Sequence, residues 1–246
     1  MTRKRLMLIM VLVTAVVLLW PIDGSYTQAK TGDPLVDGFL LVEVASVSDA
    51  VEQITGQRAH MSSDIQPLFP AKIAGPAVTV AFKKEEHNDG AADFQGALDA
   101  IDSAPPGSVY VITFEDGQDV SGIGGLMGTA MKVRDLAGAV IDAGARDTPQ
   151  LRKIQFPTFS RGPVPSTSIN HYRFVGSNIE IMCAGVKVRP HDIVVADEDG
   201  VAVVPRDRAK EVLDKAIEND QTEHAMYPFI EKFKSIKKAV AEYGRI

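Results

Sequence analysis

Two short stretches hold residue types that can act on an anionic substrate: Gly122-Ile-Gly-Gly-Leu-Met-Gly128, and Arg146-Asp147 further along the chain. Glycines between a strand and a helix let backbone amides approach an anion at the positive helix end, so a carboxylate or phosphate is the natural guest. The same glycines equally suit a tight turn packed on a sheet. Spacing excludes a dinucleotide site, because the fingerprint G-x-G-x-x-G needs glycine where Met127 stands. Arg146 follows Gly144 at a strand-to-helix junction, where a guanidinium can fork a carboxylate and Asp147 can ligate a hard cation such as Mg2+. The dipeptide alone carries little weight. Arg134-Asp135 repeats it in what reads as mid-helix, where adjacent residues do not face each other.

Other reactive side chains are scattered. His60, His87, His171, His191 and His224 show neither HxH nor HExxH spacing, so each reads as structural or surface. Ser166 and Ser168 lie in Pro-Val-Pro-Ser-Thr-Ser, without the strand-Ser-helix elbow of a hydrolase. The single cysteine, Cys183, cannot form an internal disulfide and is expected buried in the apolar run 179–184. Glu115, Asp116 and Asp119 form an acidic loop expected to be solvated. Glu218 and Glu223 share a helical face where solvated carboxylates are the ordinary occurrence.

The elements that must position these residues alternate short helices with strands. Asp33-Pro34 reads as N-cap and first helical residue, and Ser46-Val-Ser-Asp49 as a capping box ahead of 50–54. Strands are expected over 77–82, 108–114 and 139–142, with helices over 94–101, from the glycine-rich turn to about Leu136, and from Asp147 or Thr148. Beyond Pro157 short strands follow at 179–182, 186–188, 193–196 and 201–204, the last two joined by a hairpin turn at Asp197-Glu-Asp-Gly200. About 35 helical residues from Arg206, broken near Asp220 and Pro228, close the chain.

The 246 residues are 45% hydrophobic and 24% charged, which excludes disorder, collagen and coiled coil. A net charge of −6 argues against nucleic-acid partners, whose binders present a basic face. Arg3, Lys4 and Arg5 precede an uncharged run from Leu6 to Trp20, the pattern of a secretory leader and short for a membrane span. Residues 1–29 are therefore expected to be a signal peptide, cut after Thr27-Gln28-Ala29, or an N-terminal anchor, with membrane contact only through an uncleaved leader. A chain of 30–246 would carry −8 and work in the periplasm or outside the cell.

The segment GGLMGTAMKVRDLAGAVIDAGARD, Gly124 to Asp147, resembles the signature of the RraA-like family, which includes 4-hydroxy-4-methyl-2-oxoglutarate aldolases. Blocks in the same order extend the resemblance: Ser46 to Ala50, Ile73 to Val80, Pro157 to Gly162 and Asp192 to Pro205. It implies an α/β fold of the swivelling β/β/α type with N-terminal and C-terminal helices, self-association as a homotrimer or hexamer, and sites between subunits. It implies a lyase that cleaves or decarboxylates a small 2-oxo acid, such as a 4-hydroxy-2-oxo acid or oxaloacetate, to pyruvate with Mg2+ or Mn2+. The alternative it carries is a non-catalytic binding or regulatory protein that has lost the metal site.

By that resemblance Arg146 binds the oxo acid and steadies the enolate. Asp147 holds the metal, assisted by Gln150, and the amides of Gly124, Gly125, Leu126 and Met127 grip the substrate carboxylate. Glu223 from a neighbouring subunit is the second catalytic candidate, Asn88-Asp89 falls where the family brings a polar residue across the interface, and Arg161 is a possible further anion contact. Lys132 is expected to support the site. Gly125 stands where the family's aldolases carry an acid, and the variant motif with glycine there has an acid at the position of Gln150.

Overall fold

The computed structural model describes residues 26–28 and 31–245. The expected leader lies outside the described residues except for Tyr26, Thr27 and Gln28. In chain order the elements are β1 (Tyr26–Thr27), α1 (Pro34–Phe39), α2 (Val44–Thr55), β2 (Gln66–Pro67), β3 (Ala71–Lys84), α3 (Gln95–Ser103), β4 (Val109–Phe114) and β5 (Ser121–Ile123). Then come α4 (Gly125–Val133), β6 (Gly138–Asp142), β7 (Gly144–Ala145), α5 (Thr148–Lys153), β8 (Thr158–Ser160) and β9 (Tyr172–Ser177). The chain ends with β10 (Ile181–Cys183), β11 (Val186–Val188), β12 (Ile193–Asp197), β13 (Gly200–Val204), α6 (Ala209–Phe233) and α7 (Ile236–Tyr243).

The main sheet runs β13-β12-β3-β4-β6-β8-β2, with β1 and β9 also bonded to β3. The 14-residue β3 is its spine, because its first half pairs antiparallel with β12 and its second half pairs parallel with β4. Strands β4 and β6 read almost wholly apolar, as strands covered on both faces must. One face packs under α3, α4 and α5 through Ile112, Ile141, Met131 and Leu151. The opposite face is covered by the β10–β11 hairpin, and α1, α2 and α6 pack over β12–β13. Cys183 is fully buried there, as expected, and burial pushes its thiol well above the ordinary range. Near its start the sheet carries a small clip. Tyr26 and Gln28 donate their amides to Pro70 and Lys72, and the Gln28 side chain accepts the Ala74 amide at 3.0 Å.

Local signals held where the residues could satisfy themselves. The Asp33 side chain caps α1 through the Leu35 amide, and β12–β13 form the hairpin with Gly200 at φ 130°. The capping box did not form, because α2 starts at Val44 and places Ser46 inside the helix with its hydroxyl unpartnered. Remote carboxylates do the capping instead: Asp197 accepts the Val44 amide at 3.1 Å and Asp220 accepts the Glu43 amide at 3.2 Å. The expected breaks near Asp220 and Pro228 are also absent, since α6 runs unbroken to Phe233. Pro228 forfeits one helical bond, but the last turns are tied to α7 by Phe229, 4.5 Å from Phe233 and 5.7 Å from Tyr243 between ring centres. Helix α4 ends at Val133, so Arg134-Asp135 sits at its C-terminus rather than mid-helix, with Asp135 at φ 59°.

Candidate functional site

The glycine-rich turn and the Arg146-Asp147 pair meet at one corner. The short strands β5 and β7 run parallel, with Ser121 opposite Gly144 and Ile123 opposite Ala145. The Arg146 amide extends this pairing by donating to the Ile123 carbonyl at 2.9 Å, which sets Arg146 beside Gly124. Asp147 then turns the chain in the left-handed region at φ 53°, a conformation aspartate tolerates better than most residues, and α5 begins behind it with Pro149 in its first turn.

The carboxylate of Asp147 points back to the start of α4, where one oxygen accepts the Gly125 amide at 2.9 Å. An orphan donor of the helix terminus is thereby satisfied by an acid placed where the helix dipole favours it. The approach is close. A side chain at Gly124 would put its first carbon 3.0 Å from that carboxylate and 3.1 Å from the Arg146 Nε. At Gly125 the same carbon would lie 3.1 Å from the Gln150 Cγ, so Gln150 stands over this position.

A hollow of about 220 Å3 opens over the corner, lined by 121–124, Leu126 and Met127 of the turn, by Arg146 and Asp147, by Leu98 of α3 with Ala91 and Phe94 ahead of it, and by the 167–169 loop; Gly125, whose amide is spent on Asp147, is not in the lining. Arg146 and Asp147 also border a second hollow on their other side, with Thr148, Pro163 and Pro165. The Arg146 guanidinium makes no hydrogen bond or ion pair among the described residues. The first-turn amides of α4 at Leu126 and Met127 have no carbonyl within the helix to donate to. The corner therefore offers one unengaged cation, a set of amide donors and one carboxylate with an open oxygen, a combination suited to an anionic oxo compound.

The donor set fits a hydrated divalent cation held by a single protein carboxylate. Mg2+ commonly keeps several waters and takes only one or two carboxylates, with substrate oxygens completing its shell. Asp147 supplies the open oxygen, whereas Gln150, whose Cγ lies against Gly125, lines neither hollow. The acids of the preceding loop do not join them: Asp116 and Asp119 line a different hollow with Glu86 and His171, and Glu115 accepts the Lys84 amide.

The remaining candidates lie apart. Arg161 is committed to a clasp, its Nε 2.8 Å from Asp142 and a terminal nitrogen hydrogen-bonded to Asp64, so it is not an open anion contact. Asp142 also accepts the Ala184 amide at 2.6 Å, tying β6 to the β10–β11 hairpin. The Ser62 side chain, ahead of the Arg161 charge, holds the Asp64 carboxyl below the ordinary aspartate range. Lys132 reaches toward the Gln155 carbonyl and over the Tyr26 ring, away from the hollow. Asp89 pairs with Arg173. Glu223, on α6, faces Arg245 at 3.8 Å and is absent from the lining of the Arg146 hollow in its own chain. Sequence reasoning did not find Glu43, Asp220 and His224, the single metal-sized grouping of acidic and histidine side chains among the described residues. The pairing of Asp220 and His224 one helical turn apart was the available signal, but Glu43 arrives only through the packing of α2 on α6.

Comparison with known proteins identifies the family and the fold. Residues 44–203 match the family model RraA-like, Aldolase/RraA. A protein of Halalkalibacterium halodurans named "Putative 4-hydroxy-4-methyl-2-oxoglutarate aldolase" is 34% identical over 72% of this chain and 80% of its own. Protein DlpA of Legionella pneumophila is 30% identical over 88% of this chain, which spans only 35% of that longer protein. Among solved structures, an uncharacterized protein of Pseudomonas syringae superposes with a TM-score of 0.76 at 26% identity, covering 89% of this chain and 97% of the other. A Streptomyces coelicolor protein, described as an unusual member of the RNase ES inhibitor RraA family, does so with a TM-score of 0.69 at 26% identity, covering 80% and 96%. The chain belongs to the RraA-like family and has its α/β fold.

Proposed function

We propose that this RraA-like protein is a divalent-metal-dependent carbon–carbon lyase that releases pyruvate from a small 2-oxo acid, by retro-aldol cleavage of a 4-hydroxy-2-oxo acid or by decarboxylation of oxaloacetate. The observation that carries the reading is the unengaged Arg146 guanidinium beside the α4 amides and the open oxygen of Asp147.

The amides of Leu126 and Met127 bind the substrate carboxylate at the positive end of α4. Breaking the bond beyond C3 leaves two electrons in a pyruvate enolate, and Arg146 stabilises the charge that gathers on the C2 oxygen. Mg2+ or Mn2+, held by Asp147, supplies Lewis-acid polarisation of the 2-oxo group when bound. Decarboxylation needs no base, because carbon dioxide leaves without a proton. Retro-aldol cleavage requires removal of the C4 hydroxyl proton, and the hollow of a single chain holds no acid but Asp147. Glu223 serves as that base if α6 of a second copy closes the site. Leu126, 89% exposed on the rim of the corner, supports self-association as a homotrimer or hexamer covering this face. The basic-then-apolar start of the sequence supports an exported location.

A second reading has its own observation. Gln150 stands over Gly125, where relatives of the aldolase type are expected to carry an acid, so this site holds one carboxylate where two would bind metal better. A non-catalytic binding or regulatory role follows if the metal is never held. Pyruvate release by the purified chain from 4-hydroxy-2-oxo acids and oxaloacetate, with Mg2+ or Mn2+ and with chelator, separates the two. Absence of metal-dependent turnover, or turnover unchanged in Arg146→Ala, overturns the lyase reading.

A further inference from the structure

The placing of Arg146 depends on an irregularity in the short ladder beside it. Strands β5 and β7 are parallel, with Ser121 opposite Gly144 and the Gly144 amide donating to the Val120 carbonyl at 2.8 Å. In an unbroken parallel ladder the next bond, from the amide two residues on at Arg146, goes to the carbonyl two residues on at Gly122. It goes to Ile123 instead, at 2.9 Å, and Ile123 lies opposite Ala145. One extra residue, Gly122, is taken up in β5 as a bulge.

The bulge decides what stands beside the arginine. Without it Ile123 would lie opposite Arg146, whereas with it Ile123 enters the core, 1% exposed, and Gly124 comes level with Arg146. A first side-chain carbon at Gly124 would lie 3.1 Å from the Arg146 Nε and 3.3 Å from its Cγ, so the arginine stem crosses where a side chain would be. A one-residue shift of register exchanges the faces of a strand, and here it takes a branched side chain out of the arginine's path.

Two residues hold the bulge. At Gly122 an added carbon would meet Phe114 at 2.6 Å and Ile141 at 2.7 Å, so the extra residue fits only as glycine, flat against the core. Ser121, 5% exposed, donates its hydroxyl across the bulge to the Ile123 carbonyl at 2.7 Å, the same oxygen that accepts the Arg146 amide. The Gly122 carbonyl, acceptor of the regular ladder, competes for that amide, and the serine hydroxyl favours the bulged arrangement. None of these bonds involves the Asp147 carboxylate or a second copy of the chain.

We infer that Ser121 is a positioning residue for Arg146: its hydroxyl holds the bulge that carries the arginine stem across Gly124. The kinetic part of the inference rests on the lyase reading. Ser121 acts through Arg146 and not on substrate, so its loss weakens stabilisation of the transition state and spares carboxylate binding by the α4 amides.

The test is a double-substitution cycle on the full chain. Ser121→Ala is expected to lower kcat for pyruvate release about 10–100-fold, the scale of a misplaced catalytic group, and to leave KM within about twofold. In an Arg146→Ala background the same change should cost less than about twofold, because the residue it positions is gone. A kcat unchanged by Ser121→Ala, or lowered by the same factor in both backgrounds, overturns the inference, since a direct contact with substrate or a general loss of structure adds independently.

A second measurement needs no turnover and separates the inference from the lyase reading. Exchange of the Arg146 backbone amide with solvent, followed by NMR, should quicken about fivefold in Ser121→Ala, the scale of one hydrogen bond, while the Ala145 amide, bonded to Gly162, keeps its rate. Unchanged exchange at Arg146 overturns the inference. Faster exchange in a chain that releases no pyruvate from any substrate overturns the lyase reading and leaves Ser121 as the residue that sets Arg146.

Discussion

Two arginine–aspartate arrangements near the end of β6 differ in what they have left to give. At the end of β6, Asp142 receives two nitrogens of Arg161 at 2.6 and 2.8 Å, and the same guanidinium also bonds Asp64. Four residues further on, Arg146 has no hydrogen-bond or ion-pair partner among the described residues and Asp147 spends one oxygen on the Gly125 amide. A guanidinium has five donors in a fixed fork. Arg161 has used its fork to join β6, β8 and the 62–64 turn, whereas Arg146 presents its own to a hollow. Residue type does not separate a committed pair from an open one. Unspent hydrogen-bonding capacity does.

Substitution can break this contrast. Arg146→Ala should lower pyruvate release by about 10²–10³-fold, the cost of removing a preorganised charge. Its melting temperature should stay within about 1 °C, because no bond within the chain is lost. Arg161→Ala should do the reverse. Two carboxylates lose their partner, one of them mostly buried, for a destabilisation of about 2–3 kcal/mol by denaturant titration, which is below the cost of breaking a fully buried pair. That corresponds to roughly 5–10 °C in a chain of this size, with turnover per folded molecule little changed. An Arg161→Ala chain as stable as the parent would remove the distinction.

Metal affinity sharpens the comparison further. Gly125→Asp together with Gln150→Ala places a second acid beside Asp147 and clears the side chain that would crowd it. Mg2+ binding by calorimetry should tighten about tenfold, or about 1.4 kcal/mol. Gly125→Asp alone should gain less, because its first side-chain carbon would lie 3.1 Å from the Gln150 Cγ.

The smallest effect belongs to pH. The Asp64 carboxyl titrates below its ordinary value, so the stability it lends is present at neutral pH, above the unfolded pKa of about 3.9, and is lost as pH falls through the lower folded value. Asp64 is half exposed, which limits the contribution to about 0.5 kcal/mol. Thermal melts of the parent and Asp64→Asn should differ by that amount at pH 7 and converge as pH falls through the lowered folded value.

Legibility in the sequence followed the range of the interactions. The glycine turn and Arg146-Asp147 could be singled out because their neighbours in the chain build the corner, and Asp33 and the 197–200 hairpin are equally local. The start of α2 was misread because its caps come from Asp197 and Asp220, 153 and 177 residues away. Arg161 looked available because Asp64, 97 residues earlier, is invisible to any local pattern. Strands β8 and β9 went unread for a related reason. Thr158–Ser160 is only three residues long, and Tyr172–Ser177 is half exposed, so neither shows a period of its own.

The clip at Tyr26–Gln28 sets a problem of timing. The Gln28 side chain supplies the acceptor for the fully buried Ala74, in the stretch of β3 that pairs with β12. A peptidase cutting behind Ala29 would remove that acceptor and leave an amide whose isolation costs about 1–3 kcal/mol. Folding and processing would then compete for the same three residues, and a chain cut first would fold with the Ala74 amide lacking this acceptor.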